Sequence, residues 1–186
     1  MNESQEAALV RRCQAGDKEA FRALVEQHSE ALFGTAYLMT RDRGLAEDAV
    51  QRALIQMWKH ISSLRLRGSF KAWMVRIVVN EVNQQRRKKR VPTIPLEKAP
   101  EVVSDCDETE AVVFRSEERR SLRRALEMLP SEQREAVVLR YFSDLTIPEI
   151  ATVMGQREGT IKSRLSRALD RLGEILRNEE IREVRR

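Results

Sequence analysis

Residues 146–172 read TIPEIATVMGQREGTIKSRLSRALDRL, and their spacing decides how the C-terminal part of the chain folds. Thr146 followed three residues later by Glu149 is a capping box, in which side chains satisfy amides that the first helical turn leaves without partners. Pro148 close behind loses nothing, because first-turn amides have no intrahelical acceptor. A helix therefore starts here, with Ile150, Ala151, Val153 and Met154 as its inner face. Gly155 ends it by taking a left-handed conformation that residues with a Cβ avoid. From Gly159 onward, Ile161, Leu165, Ala168, Leu169 and Leu172 recur with a period of about 3.6 residues, one apolar stripe of a second helix. Two short helices across a tight turn make a helix-turn-helix.

The other side of the second helix carries Thr160, Lys162, Ser163, Arg164, Ser166, Arg167 and Arg171, all hydrogen-bond donors, with no carboxylate until Asp170. Short hydroxyls and forked guanidiniums at this density suit a helix laid in a DNA major groove. Arg157 stands at the helix start, where Ser, Thr or Asp is the usual cap. The same pattern also fits a cationic solvated helix of an ordinary bundle, and the turn spacing is what favours DNA.

The 186 residues suffice for one domain or two small ones. Charged residues make up 34% and aromatics 5%, which favours an all-helical protein rich in surface charge. A net charge of +5 and a pI near 9.5 point to a polyanionic partner, although solubility alone explains a modest excess. Cys13 and Cys106 are too few for a secreted disulfide scaffold, so reduced cytoplasm is the expected compartment. No apolar run approaches the roughly 20 residues of a membrane span, and MNESQEAALVRR has no signal-peptide core, so no membrane insertion is expected.

Upstream, residues 3–14 read as a first helix ended by Gly16. Asp17 caps a second, with Phe21, Leu24, Val25, Leu32, Phe33 and Ala36 apolar and Tyr37 and Leu38 near its end. After a polar turn at residues 40–44, LAEDAVQRALIQMWKHI repeats the pattern, with Trp58 among its core residues. Its outward face bears Glu47, Asp48, Gln51 and Arg52, a surface that solvation alone would account for. His28 and His60 have no convincing ligand spacing and read as surface or cap-like histidines, and no metal or other cofactor is expected.

The short basic stretch SSLRLRGS, residues 62–69, leads into FKAWMVRIVVNEVNQQRRKKR, a long helix running out in five consecutive cations, Arg86 to Arg90. Phe70, Trp73, Met74, Ile77, Val78 and Val82 share one face, and Lys71, Arg76, Asn80, Asn83 and Gln84 the other. Amides and cations beside aromatics can track a phosphate backbone and hold an unstacked base. Cations at a helix C-terminus commonly just complement the dipole, but five beside a basic loop exceed that need.

Residues 91–113 hold three of the five prolines and six acids against one lysine, net −5, with no amphipathic period. They read as an extended acidic linker. Residues 114–129 and the stretch from Ser131 form two further helices, the latter covering the helix-turn-helix with Ala136, Val137, Val138, Leu139 and Tyr141. Residues 177–186 carry four Arg, three Glu and no buried stripe, and are expected to fray. The expected architecture is all-α, with two small helical domains at 1–90 and 114–177, a flexible acidic linker at 91–113 and a tail at 178–186.

No Gly-rich phosphate loop, HExxH, CxxC or GxSxG is present, so no catalytic residues are assigned and the chain is not expected to be an enzyme. Three binding readings stay open at this level. A self-sufficient regulator would bind a palindromic duplex, a helical adaptor would be indifferent to charge reversal at Lys162 and Arg167, and a polymerase-dependent factor would read two separate elements.

The segments LPSEQREAVVLRYF, LTIPEIATVMG and GTIKSRLSRAL together resemble region four of bacterial RNA polymerase sigma factors of the extracytoplasmic-function group. AEDAVQRALIQMW resembles the polymerase-binding helix of region two, and GSFKAWMVRIVVNEVNQQRRKKR the parts that read and melt the minus-ten element. The resemblance spans nearly the whole chain and implies a factor that directs core polymerase to promoters. By position, Glu47, Asp48, Gln51, Arg52 and Ile55 would dock on the clamp of the largest polymerase subunit, and the C-terminal domain on the flap of the second-largest. Arg65, Arg67, Gly68, Ser69, Trp73, Arg76, Asn80, Asn83, Arg86 and Arg87 would serve the minus-ten element. Arg157, Thr160, Lys162, Ser163, Arg164, Ser166, Arg167 and Arg171 would serve the upstream element. The resemblance also implies an anti-sigma factor as a partner. Arg52 and Asn83 depart from the family pattern, which has acids at these positions.

Overall fold

A computed structural model of the chain describes residues 3–65, 69–90 and 117–184. Within them all regular structure is helical: α1 (Glu3–Gln14), α2 (Lys18–Thr40), α3 (Arg43–His60), a 3-10 turn (Ile61–Ser63), α4 (Phe70–Arg90), α5 (Glu117–Glu127), α6 (Ser131–Val137), α7 (Ile147–Met154) and α8 (Glu158–Val184). The proposed linker 91–113, Cys106, Arg67 and Gly68 lie outside the described residues.

Local chemistry sets the breaks between the N-terminal helices. Gly16 turns the chain at φ +89°, and Asp17 caps α2 by accepting from the amides of Glu19 and Ala20. Arg41, left-handed at φ 61°, closes α2, and the Asp42 carboxylate caps α3 through the Leu45 amide at 2.9 Å. Leu24, Leu32, Met57, Ile61, Met74, Val75, Val78 and Val79 are fully buried between these helices. On α3 the buried positions are Ala46, Ala49, Ala53 and Met57. Small side chains there let α3 approach its neighbours closely.

The C-terminal helices continue the buried cluster into a core of Leu139, Leu145, Ile150 and Ile161, with Ala125, Ala136 and Ala168 at zero exposure. After α6 the chain widens into a π-turn (Val138–Phe142), a local bulge that shifts the helical register. Hence Tyr141, expected to cover the helix-turn-helix, is instead 62% exposed, while Leu139 stays inside. Truncation of Leu139 to Ala leaves a cavity at the centre of this core. A loss of about 2 to 5 kcal/mol is expected in chemical denaturation, and a loss under 1 kcal/mol would show that the core is not packed as described.

Further expectations are corrected by the packing. His28 is buried rather than superficial, because α1 crosses α2 and places Glu6 Oε1 2.9 Å from His28 Nε2. Leu169 is 43% exposed, since eight residues beyond Ile161 it lies about 80° around the helix from that residue, at the edge of the stripe. The last helix does not fray at residue 177 but continues to Val184, through residues of good helix propensity without Gly or Pro. Among the described Asp, Glu, His and Cys residues, no group of three is placed to hold a metal ion.

The C-terminal half of α2 is buried on all sides at Gly34, Thr35, Ala36, Leu38 and Met39, because helices from both parts of the chain pack on it. Gly34 lies in the helix interior, where glycine costs about 1 kcal/mol relative to alanine. A Cβ there would lie 2.2 Å from Phe142 Cζ. The glycine is the seat of a side chain from the C-terminal half.

Candidate nucleic-acid interface

The helix-turn-helix forms as its chemistry dictates. Glu149 Oε2 accepts from both the amide and the hydroxyl of Thr146, each at 2.8 Å. Gly155 adopts φ 62° and ends α7. Arg157 precedes α8 and serves it through its carbonyl, which accepts from Thr160 N at 2.9 Å and Ile161 N at 3.1 Å. Along the open side of α8, Arg157, Lys162, Ser163, Ser166, Arg167 and Arg171 are exposed, with Thr160 half-buried. Arg167 Nε donates to Ser163 O at 3.1 Å, which holds its guanidinium against the helix surface.

Arg164 differs from this row. Three residues after Ile161 it flanks the apolar stripe, and its guanidinium pairs with Glu132 of α6 at 2.7 Å with the side chain only 16% exposed. It ties α8 to α6, and the open donor row runs past it.

A second row lies on α4, where Trp73, Arg76, Asn80, Asn83 and Arg87 recur at helical spacing. Arg76, Asn80 and Arg87 are exposed, whereas Trp73, Asn83 and Arg86 are half-buried. The Trp73 ring tilts against Phe70 at 5.3 Å between centroids. Arg65 is exposed in the preceding loop. Ser69 caps α4 by accepting from Ala72 N at 3.2 Å, and it donates its hydroxyl to Glu149 Oε1. One carboxylate thus joins the N-termini of α4 and α7, where both helix dipoles favour negative charge.

Electrostatics across this junction come from Glu149, whose capping role is local, and from Glu135 and Arg134, which no local pattern singles out. Burial raises the Glu149 pKa, but the hydrogen bonds from Ser69 and Thr146 together outweigh it and leave the carboxyl below its usual value. A depressed carboxylate contributes stability above its unfolded pKa and loses it as pH falls through the folded value. The Glu149 contacts are therefore expected to persist at neutral pH and to fail only on acidification below the ordinary glutamate range. Glu149→Ala, which removes the cap, is expected to cost about 1 kcal/mol at neutral pH and less in acid. Thermal melts across pH check this, and a cost that grows on acidification would contradict it.

Glu135 shows the opposite shift: burial raises its pKa, against lowering by Arg86 and by a hydrogen bond from Asn83. The neighbouring Arg134 is lowered to about 10 by burial and by Arg41 and Arg86. Arg41 and Arg134 both donate to Glu127 O at 3.4 Å, at the C-terminus of α5.

A third surface lies on α3. Glu47, Asp48, Gln51, Arg52 and Ile55 are all exposed. Arg43 pairs with Glu47 at 2.9 Å and Arg52 with Asp48 at 3.7 Å. Ile55 is 51% exposed beside them. It borders an open groove of about 620 Å³ that Arg52, Ile77, Asn80 and Gln84 also line, so the α3 surface adjoins the α4 row.

Comparison with known proteins agrees with this layout. Residues 24–91 match the family model for sigma-70 region 2, and residues 119–172 the model for sigma-70 region 4. The ECF RNA polymerase sigma factor SigM of Mycobacterium tuberculosis is 35% identical over 176 residues, 94% of this chain and 86% of that protein. The RNA polymerase sigma-H factor of Pseudomonas aeruginosa is 29% identical over 185 residues, covering 95% of this chain and 96% of its own. Among solved structures, the sigma factor RpoE in complex with the anti-sigma factor NepR from Bartonella quintana superposes with a TM-score of 0.65. It is 30% identical and covers 84% of this chain and 96% of its own. With both regions matched in order and a relative this similar along most of its length, the chain belongs to the extracytoplasmic-function (ECF) group of sigma-70 family RNA polymerase sigma factors.

Proposed function

We propose that this chain joins core RNA polymerase and gives it promoter choice through two DNA elements, itself performing no covalent chemistry. The observation that carries this reading is the presence of separate donor rows on the two matched regions, one on α8 and one on α4. The α8 row lies in the major groove of the upstream duplex, where Lys162, Ser163, Ser166 and Arg167 meet bases or phosphates. The α4 row, with Trp73 and the loop before it, holds the melted minus-ten strand. Phosphate contacts provide affinity and salt dependence, and base contacts provide choice.

In the same reading, residues 1–90 and 114–177 are the two working domains, 91–113 is the linker and 178–186 the tail. The α3 surface docks on the clamp of the largest subunit and the C-terminal domain on the flap of the second-largest, in the cytoplasm where polymerase works. RpoE of Bartonella quintana is held by the anti-sigma factor NepR, and we extend control by an anti-sigma factor to this chain.

Footprinting of reconstituted holoenzyme tests the reading. Protection of two separated elements is expected, and Arg167→Ala is expected to weaken the upstream one by about 1 to 3 kcal/mol. Tight binding of the isolated chain to a palindromic duplex, without polymerase, would overturn it.

A further inference from the structure

Three guanidiniums gather where α2, α4 and α6 meet beside the C-terminus of α5. Arg41 and Arg134 both donate to the Glu127 carbonyl, each at 3.4 Å, the long end of the hydrogen-bond range. Arg86 faces the same place, one turn beyond the Asn83 that hydrogen-bonds Glu135, and its charge acts on both Glu135 and Arg134. One cation is enough to complement a helix C-terminus, and a second on the same carbonyl repels the first. Among the described residues, no other acceptor takes a hydrogen bond from the Arg41 or Arg134 guanidinium, and none takes one from Arg86.

Two of these arginines are held there at a cost. Arg41 takes φ 61° at the end of α2, a conformation in which glycine or asparagine is the usual residue because a Cβ disfavours it. Arg134 is 5% exposed, and a buried guanidinium is unfavourable unless it is paired. The carboxylates nearby do not pair it. Glu127 holds Arg123 at 3.2 Å, and burial favours the neutral form of Glu135. A phosphate group, with a charge of about −2 at neutral pH and three acceptor oxygens, matches three convergent guanidiniums in charge and in donor geometry. We propose that Arg41, Arg86 and Arg134 form an anion site for a phosphate dianion, either free phosphate or the terminal group of a phosphate monoester. The anion enters past the exposed Arg41 and the half-buried Arg86 and rests on Arg134 beneath them. Because the arginines come from three helices, the bound anion ties those helices together. The site lies apart from the donor row on α8 and needs no polymerase.

Calorimetric titration of the full chain with inorganic phosphate, in chloride buffer of matched ionic strength, tests this alongside thermal melts. Saturable one-to-one binding and a melting temperature that rises to a plateau are expected. Arg41→Gly separates a ligand-binding arginine from a structural one. Glycine suits the left-handed backbone there, so without phosphate the variant is expected to melt no lower than wild type while losing about tenfold in phosphate affinity. Arg134→Gln is expected to lose binding as well, and Arg41→Lys, which keeps the charge but not the fork, to fall between. Adenosine monophosphate identifies the source: tighter binding than inorganic phosphate assigns a monoester, and binding no tighter assigns the free anion. Phosphate also stabilises proteins through exclusion from their surface, so an equal, unsaturating rise in wild type and Arg41→Gly overturns the site. An Arg41→Gly chain that melts lower and still binds phosphate returns Arg41 to a capping role and overturns it too. A single-stranded oligonucleotide that binds more tightly than either dianion, and loses that binding in Arg41→Gly, overturns the dianion assignment in favour of backbone phosphates.

Discussion

Reversing both charges in Lys162→Glu, Arg167→Glu is expected to remove upstream promoter recognition by the holoenzyme, a loss of about a hundredfold or more, while leaving assembly with core polymerase intact. Each base or phosphate contact is worth about 1 to 3 kcal/mol, and reversal replaces attraction by repulsion toward a phosphate backbone. Both side chains are exposed on α8, and exposed substitutions away from core and caps shift stability by about 0.5 kcal/mol or less. Lost binding would therefore report on contact and not on folding. The salt dependence of binding should also flatten as phosphate contacts are lost. Filter binding of holoenzyme across a salt series measures both quantities. Unchanged affinity and slope would remove α8 from the DNA interface and favour a protein-binding role for this helix.

Ile55→Asp is expected to weaken association with core polymerase by about 2 kcal/mol or more, near thirtyfold. Ile55 is exposed among the polar Asp48, Gln51 and Arg52, and under the proposed docking on the clamp it would be the apolar centre of the contact, the kind of position that carries most of the energy of an interface. A carboxylate there is buried without a partner in the complex, which adds a desolvation cost. In the free chain the side chain already faces water, so the melting temperature should hardly move. Fluorescence titration of labelled chain with core enzyme measures the affinity, and an unaltered dissociation constant would place the polymerase contact elsewhere.

The helix-turn-helix was legible in the sequence because its determinants are local. Thr146 and Glu149 cap one turn, Gly155 supplies one backbone conformation, and the stripe from Ile161 to Leu172 needs only helical periodicity. The exposure of Glu47, Asp48, Gln51 and Arg52 on α3 and of Arg76 and Asn80 on α4 could be read for the same reason, since exposed residues follow from where the apolar stripes are not.

What the sequence could not show is what depends on a partner distant along the chain. Gly34 reads as a weak point within a helix until Phe142 occupies it, and Thr35 reads as an ordinary polar residue until Ser143 arrives 108 positions later. His28 looked superficial because Glu6 belongs to another helix. Arg164 groups by residue type with the donors opposite the stripe, but it flanks the stripe three residues after Ile161, and Glu132 of another helix draws it inward. Glu149 was recognised as a cap, but its second oxygen, engaged by Ser69, had no local signal.

The proposed function requires that this chain turn core polymerase into a promoter-specific initiator. Run-off transcription with purified core enzyme over a promoter library, with and without the chain, measures that most directly. The expected result is chain-dependent transcripts starting downstream of templates that share two spaced elements. Identical transcription with and without the chain would contradict the account.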